Sequence, residues 1–283
     1  MTGVIIEWIE VPAAKVIVGV DDGRLFFHDL IDLREISPFS IPMTGPGSPV
    51  TTALLLNGAI ALGFGEDGCE LQESAATLPK YVFNLVGAYH NSRRTPGHFR
   101  KAAARFRDIE RPEVSDYLEQ HAKEETGHDR LVVKDLRALG LPAEHILERL
   151  VPAGVKPLNE YFDSLVEDEY PIGCIGYSYC FESTAALKQK ADVDAMQALC
   201  PEGIDASRFM RTHSAMGSEA AHVDDLIAFI AALPADDRIR IVQATYETAR
   251  RIADCLRDEG EMTDADIVAQ LQAAAGELIE LVA

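Results

Sequence analysis

From about residue 76 onward the chain reads as helix almost without interruption, and the interruptions are what most constrain its fold. Apolar residues recur at helical spacing through 76–89, 96–107, 112–139, 143–150, 157–168, 175–196, 205–232, 235–257 and 263–282. Between them fall Gly140 with Pro142, Pro152-Ala153-Gly154, Gly173, Pro201-Glu202-Gly203, Pro234 and Asp258-Glu259-Gly260. Glycine and proline at such positions stop helices. A succession of amphipathic helices with short breaks must bury its stripes helix against helix. The expectation is a mainly α bundle.

The start of the chain differs. Lys15 to Val20 and Arg24 to His28 are short apolar runs around Asp21-Asp22-Gly23. Thr51 to Leu56 and Ala59 to Phe64 flank Asn57-Gly58, a two-residue hairpin signal. Ser37 to Pro49 is rich in Pro, Gly and Ser and reads as loop. The pattern predicts four to six strands within residues 1–70. It divides the chain into a β-rich N-terminal unit over 1–74 and a helical domain over 75–283.

Charge and cysteine usage narrow the function classes. With 26 basic against 46 acidic residues, the net charge of −20 argues against sequence-independent nucleic-acid binding, which needs Lys and Arg on phosphates. No run approaches the ~20 apolar residues of a membrane helix. The start Met1-Thr2-Gly3-Val4 lacks the features of a secretory signal. Cys69, Cys174, Cys180, Cys200 and Cys255 form no CxxC pair. A reduced, cytoplasmic chain without a zinc–thiolate site is expected.

The chemistry lies in polar residues where a core seam should run. In 112–139 the seam passes through Val114 and Leu118, and resumes at Leu131, Val132, Leu136 and Leu139. On a continuous helix the middle of that stripe is His121, Glu125 and His128. Glu125 would lie about 40° and His128 about 20° from His121. An unpaired carboxylate there is costly to bury, and a bound cation offsets the cost. Glu-x-x-His on an inward face is the ligand pair of di-iron carboxylate bundles. A solvated face that ends the stripe is the alternative.

The segment 205–232 repeats the pattern. Glu219 and His222 interrupt a seam of Met216, Val223, Leu226, Ile230 and Leu233. Asp225 continues that face, as a ligand, a partner of His222 or a surface charge. His213 would sit about 180° from His222 on an unbroken helix, which makes it a poor ligand unless the helix bends near Gly217. Glu182 follows the largely apolar run Ile172 to Phe181 and is expected to be buried, against a cation or an arginine. Imidazole with carboxylate and no thiolate suits iron or manganese that binds dioxygen.

Glu125-x-x-His128, Glu182 and Glu219-x-x-His222, with the stretch Tyr117 to His128 and Asp135-Leu136-Arg137-Ala138-Leu139-Gly140, resemble the heme-oxygenase-like di-iron oxidases and oxygenases. Thiaminase II and the cofactorless oxidase of pyrroloquinoline quinone synthesis share that superfamily. The resemblance spans residues 75–283. It implies a seven-helix bundle around two irons that cycle between Fe2+ and Fe3+. The implied reaction is oxidation of a small amine, amino acid or carboxylic acid by dioxygen, through N-oxygenation, C–C cleavage or desaturation. By position, Glu125, His128, Glu182 and His222 match ligands, and Glu219 stands where the family usually has Asp. Where the family often has a further His, this chain has Ala215; His121 and Asp225 are the reserve ligands. Glu182 is the carboxylate implied to bridge or shift, and Tyr177 and Tyr179 are candidates to line a substrate pocket. A biosynthetic homodimer served by an electron donor completes the expectation.

Two other readings compete. A metal-independent, thiaminase- or quinone-synthase-like pocket would use the same residues for acid–base chemistry. A scaffold would use the N-terminal unit to bind a partner. Charge distribution adds one more expectation. Residues 76–110 carry net +5 in a chain of net −20, so the basic run from Arg93 to Arg107 faces either an acidic substrate group or partner, or the protein's own carboxylates.

Overall fold

The computed structural model describes residues 4–12, 15–29, 43–45, 47–65, 77–216, 219–276 and 279, without the side chains of 219–221. Its elements are β1 (Ile6–Val11), β2 (Lys15–Val20), β3 (Leu25–Asp29), α1 (Pro49–Phe64), α2 (Leu78–Ser92), α3 (Thr95–Asp108), α4 (Pro112–Glu124), α5 (Asp129–Ala138), α6 (Ala143–Arg149), α7 (Val155–Glu167), α8 (Gly173–Ala186), α9 (Lys190–Ala198), α10 (Arg208–Thr212), α11 (Glu219–Ala232), α12 (Ala235–Gly260) and α13 (Asp264–Ala275). They fall into two compact units. The first holds 1–68, 172–183 and 221–253, and the second holds 69–171, 184–220 and 254–283. None of the described helices is long and apolar enough to cross a membrane.

The first unit begins with an antiparallel sheet in the order β1-β2-β3, paired with Trp8 opposite Val18 and Ile17 opposite Phe27. The runs at 15–20 and 24–28 are strands, as their patterning predicts. The hairpin expected at Asn57-Gly58 is not formed, and the described residues hold three strands rather than four to six. Residues 49–64 are the helix α1, which packs on β2. Its start is specified by Pro49 in the first turn and by a capping box in which Ser48 and Thr51 satisfy each other's backbone N–H groups. Two short apolar runs around Asn-Gly therefore form one helix that is apolar around its circumference. Gly58 is there for contact rather than for a turn. A Cβ at this position would lie 2.8 Å from Ile17 Cγ2.

A buried ion pair ties this unit together. Glu7 on β1 and Arg238 on α12 are each almost wholly buried and meet at 2.5 Å. Arg238 also donates to the carbonyls of Leu233 and Gly45, and Thr51 on α1 donates its hydroxyl to Glu7. Sheet, first helix and α12 thus share one charged centre whose polar atoms satisfy each other.

The second unit packs α2, α5, α6 and α13 around Val82, Phe83, Val86, Val132, Leu136, Ile146, Ile267 and Leu271. Three segments expected as single helices are divided. The 112–139 segment is α4 and α5, separated by a turn in which Gly127 takes φ +97°. The Thr126 hydroxyl bonds the Ala122 carbonyl at 2.7 Å, an arrangement that competes with helix propagation. The 175–196 segment is α8 and α9, the latter begun by a reciprocal cap between Gln189 and Asp192. The 205–232 segment is α10 and α11, because His213 leaves helical geometry at φ −97°, ψ 61°.

Replacing Glu7 with Ala strands the Arg238 guanidinium in the interior. Denaturant unfolding should show a loss of about 3–5 kcal/mol. Lys15→Ala, which breaks the exposed pair with Asp29, should cost no more than about 1 kcal/mol.

Candidate metal centre

The division of the 112–139 segment places its acid and imidazole at adjoining helix ends. Glu125 is the residue that closes α4, and His128 is the residue that opens α5. Glu125 N still bonds the His121 carbonyl, and His128 N bonds the Glu125 carbonyl. Gly127 supplies the left-handed step that a side chain would resist. Both side chains therefore stand on a tight turn rather than on one continuous stripe.

The third member is His213, which closes α10. Glu125 Oε2 lies 3.1 Å from His128 Nδ1 and 3.9 Å from His213 Nε2, and the two imidazole nitrogens are 3.1 Å apart. Among the described residues, these are the donors that converge closely enough to hold a metal ion. A metal about 2.1 Å from each donor sets neighbouring donors about 3 Å apart in octahedral and about 3.4 Å in tetrahedral geometry. The two 3.1 Å separations fit such a set, and the 3.9 Å one between Glu125 and His213 is wider. The His213 tautomer fits as well. Its Nδ1 lies 3.2 Å from the Phe209 carbonyl, which can only accept, so Nδ1 carries the hydrogen and Nε2 turns a lone pair inward.

The side chains of Glu125, His128 and His213 retain 14%, 21% and 17% exposure. The centre is thus sheltered yet reachable from solvent. Burial alone would push the Glu125 carboxyl up. The hydrogen bond with His128 and the closeness of the two imidazoles more than reverse this, and hold it well below the usual carboxylate range. The Phe209 ring lies over His213 at 4.3 Å between centroids.

The other residues singled out in the sequence lie as follows. His121 is buried on α4, edge-on to the Phe99 ring and stacked with Tyr117. Glu182 is buried on α8 and accepts a 2.5 Å hydrogen bond from Ser178. Tyr177 packs on Phe181, and Tyr179 donates its hydroxyl to Asn57 at 2.9 Å. His222 is half-buried and Asp225 exposed on α11. Glu219 opens α11, and its side chain lies outside the described residues. Glu182, Tyr177, Tyr179, His222 and Asp225 belong to the first unit, whereas the converging triad belongs wholly to the second.

His213 is the member that sequence reasoning placed away from the centre, on the assumption that 205–232 was one helix. The warning was local: His213-Ser214-Ala215-Met216-Gly217-Ser218 is rich in residues that favour helix ends.

No family model and no curated protein matches the chain. Solved structures do. A domain of unknown function with a heme oxygenase-like fold from Shewanella denitrificans is 18% identical, covers 74% of this chain and 88% of its own, and has a TM-score of 0.56. A CADD-like protein of unknown function from Nostoc punctiforme is 15% identical over 78% of this chain and 93% of its own, with a TM-score of 0.54. A TenA homolog from Pseudomonas syringae is 10% identical over 77% of this chain and all of its own, with a TM-score of 0.53. The chain has a heme-oxygenase-like fold, preceded by a small antiparallel sheet.

Gly127→Ala forces a Cβ into left-handed geometry at the turn between α4 and α5. It should lower stability by about 1–2 kcal/mol in denaturant unfolding, whereas Gly97→Ala, in open space within α3, should stabilise or leave it unchanged.

Proposed function

We propose that this protein is a non-heme iron oxidase or oxygenase that uses dioxygen to oxidise a small organic substrate. The observation that carries the proposal is the convergence of Glu125, His128 and His213 at 3.1–3.9 Å. Two imidazoles and one carboxylate with open positions form the facial set favoured by ferrous oxygenases. Iron bound there would supply one-electron redox chemistry and a binding position for dioxygen.

The chain's own residues prepare the centre. Glu125 contributes a fixed negative charge that offsets part of a cation's charge and is ionised without one. The Phe209 carbonyl holds the His213 ring in the tautomer that turns Nε2 inward. His128 presents Nδ1 to the same point, and that atom must give up its proton to ligate. The Phe209 ring shields one side of His213 from water.

A second iron, as the family resemblance implies, would draw on Glu182, His222 or Asp225. Glu182 is the foremost of these, a buried carboxylate bonded to Ser178. The metal-independent alternative uses Glu125 to orient His128 as a proton carrier at 3.1 Å.

The test is anaerobic loading of the full chain with ferrous iron, followed by metal analysis and oxygen uptake. The expected result is at least one tightly held iron per chain, dioxygen consumption on exposure to air, and loss of that iron in His213→Ala and Glu125→Ala. A second equivalent lost in Glu182→Ala would support the two-iron form. Absence of iron binding, or full iron retention in His213→Ala, would overturn the proposal.

A further inference from the structure

Asp135, on α5, is fully buried and belongs neither to the triad nor to the hydrophobic core around it. Its Oδ1 accepts the Arg208 backbone N–H at 3.2 Å and Arg208 Nη1 at 3.0 Å, and its Oδ2 accepts the Phe209 backbone N–H at 2.9 Å. These donors open α10, the five-residue helix that ends at His213. So short a helix does not hold itself in place, and something outside it must set its position.

The spacing shows what Asp135 sets. Asp135 follows His128 by seven residues, which places the two about 20° apart on one face of α5 and about 10 Å apart along its axis. Phe209 precedes His213 by four residues, one turn of α10. α10 is thus held against α5 at both ends, Asp135 to Arg208 and Phe209 at one and His128 to His213 at the other. The two segments run antiparallel. Phe209 serves both ends, since its N–H is held by Asp135 and its carbonyl holds His213 Nδ1.

We propose that Asp135 is a positioning residue for the metal centre: its carboxylate, by clamping the Arg208 and Phe209 amides, sets the register of α10 and aims His213 Nε2 at Glu125 and His128. This rests on the metal-binding reading above. Asn in its place offers one acceptor oxygen and sets an NH2 group against a donor. Leucine would leave two backbone amides without a carboxylate.

Co2+ alone is the probe, on the full-length protein, with affinity from competition titration and geometry from the visible absorption spectrum. Asp135→Asn should weaken Co2+ binding about 10–100-fold and give a spectrum matching that of His213→Ala. The double variant should lose little more than either single one. Arg208→Met, which leaves both clamped amides, should stay within a few-fold of wild type. Where Asp135→Asn does not fold, hydrogen exchange of the wild-type protein decides, because coupling is reciprocal. Co2+ should slow the Arg208 and Phe209 amides at least tenfold more than the Ile267 and Leu271 amides of α13.

An Asp135→Asn protein with wild-type Co2+ affinity and spectrum, or Arg208 and Phe209 amides indifferent to Co2+, would overturn the clamp while leaving the metal centre standing. Wild-type protein that takes up no Co2+ would overturn both.

Discussion

A carboxylate taken out of water must be met by cations or hydrogen-bond donors, and three such carboxylates organise this chain. Glu7 is met by a guanidinium and a hydroxyl, which tie the sheet to α1 and α12. Asp135 is met by two backbone amides and one guanidinium, which fix α10 on α5. Glu125 is met by two imidazoles. The first two solutions carry permanent charge or fixed amides and suit a structural role. Imidazole is neutral or cationic according to its surroundings and also binds metals. The same physical demand is thus answered with reactive groups at one place only among these three.

The helical part of the fold was legible because its signal is long and redundant. Seam spacing and Gly/Pro breaks both point to α2, α3, α6, α7, α12 and α13. The short elements were harder. Asn57-Gly58 carries the same dipeptide signal in a hairpin as in a helix whose glycine admits Ile17, and only tertiary contact separates the two. Glu125 and His128 were legible as polar residues that interrupt a seam, though on a helix rather than on the turn that holds them. His213 was not, because periodicity assumes continuity. A helix that ends at Thr212 resets the angular bookkeeping for everything beyond it.

The basic run from Arg93 to Arg107 shows charge serving packing. Arg94 and His98 share Asp163, Lys101 pairs with Glu167, and Arg107 lies 3.5 Å from Glu119. Three of these four partnerships join α3 to α7, and the fourth joins it to α4. They are exposed or half-exposed, so each adds little to stability. Their collective effect is to place opposite charges along the helix contacts and to disfavour other registers. Arg94, His98, Lys101 and Arg107 thus pair with the protein's own carboxylates.

The centre itself is held by an economy of elements. α4 and α5 are consecutive and joined by one tight turn, so Glu125 and His128 are near each other whatever the rest of the chain does. His213 arrives from 85 residues further on, and its placement depends on tertiary structure. Any error in the register of α10 would move Nε2 along α5 by about 1.5 Å per residue, enough to lose its convergence with Glu125 and His128. Two amides on a buried carboxylate resist that slip better than apolar packing, because hydrogen bonds are directional and their loss in the interior is costly. The distant imidazole is therefore the one that most needs a polar anchor, and Asp135 bonds the helix that carries it.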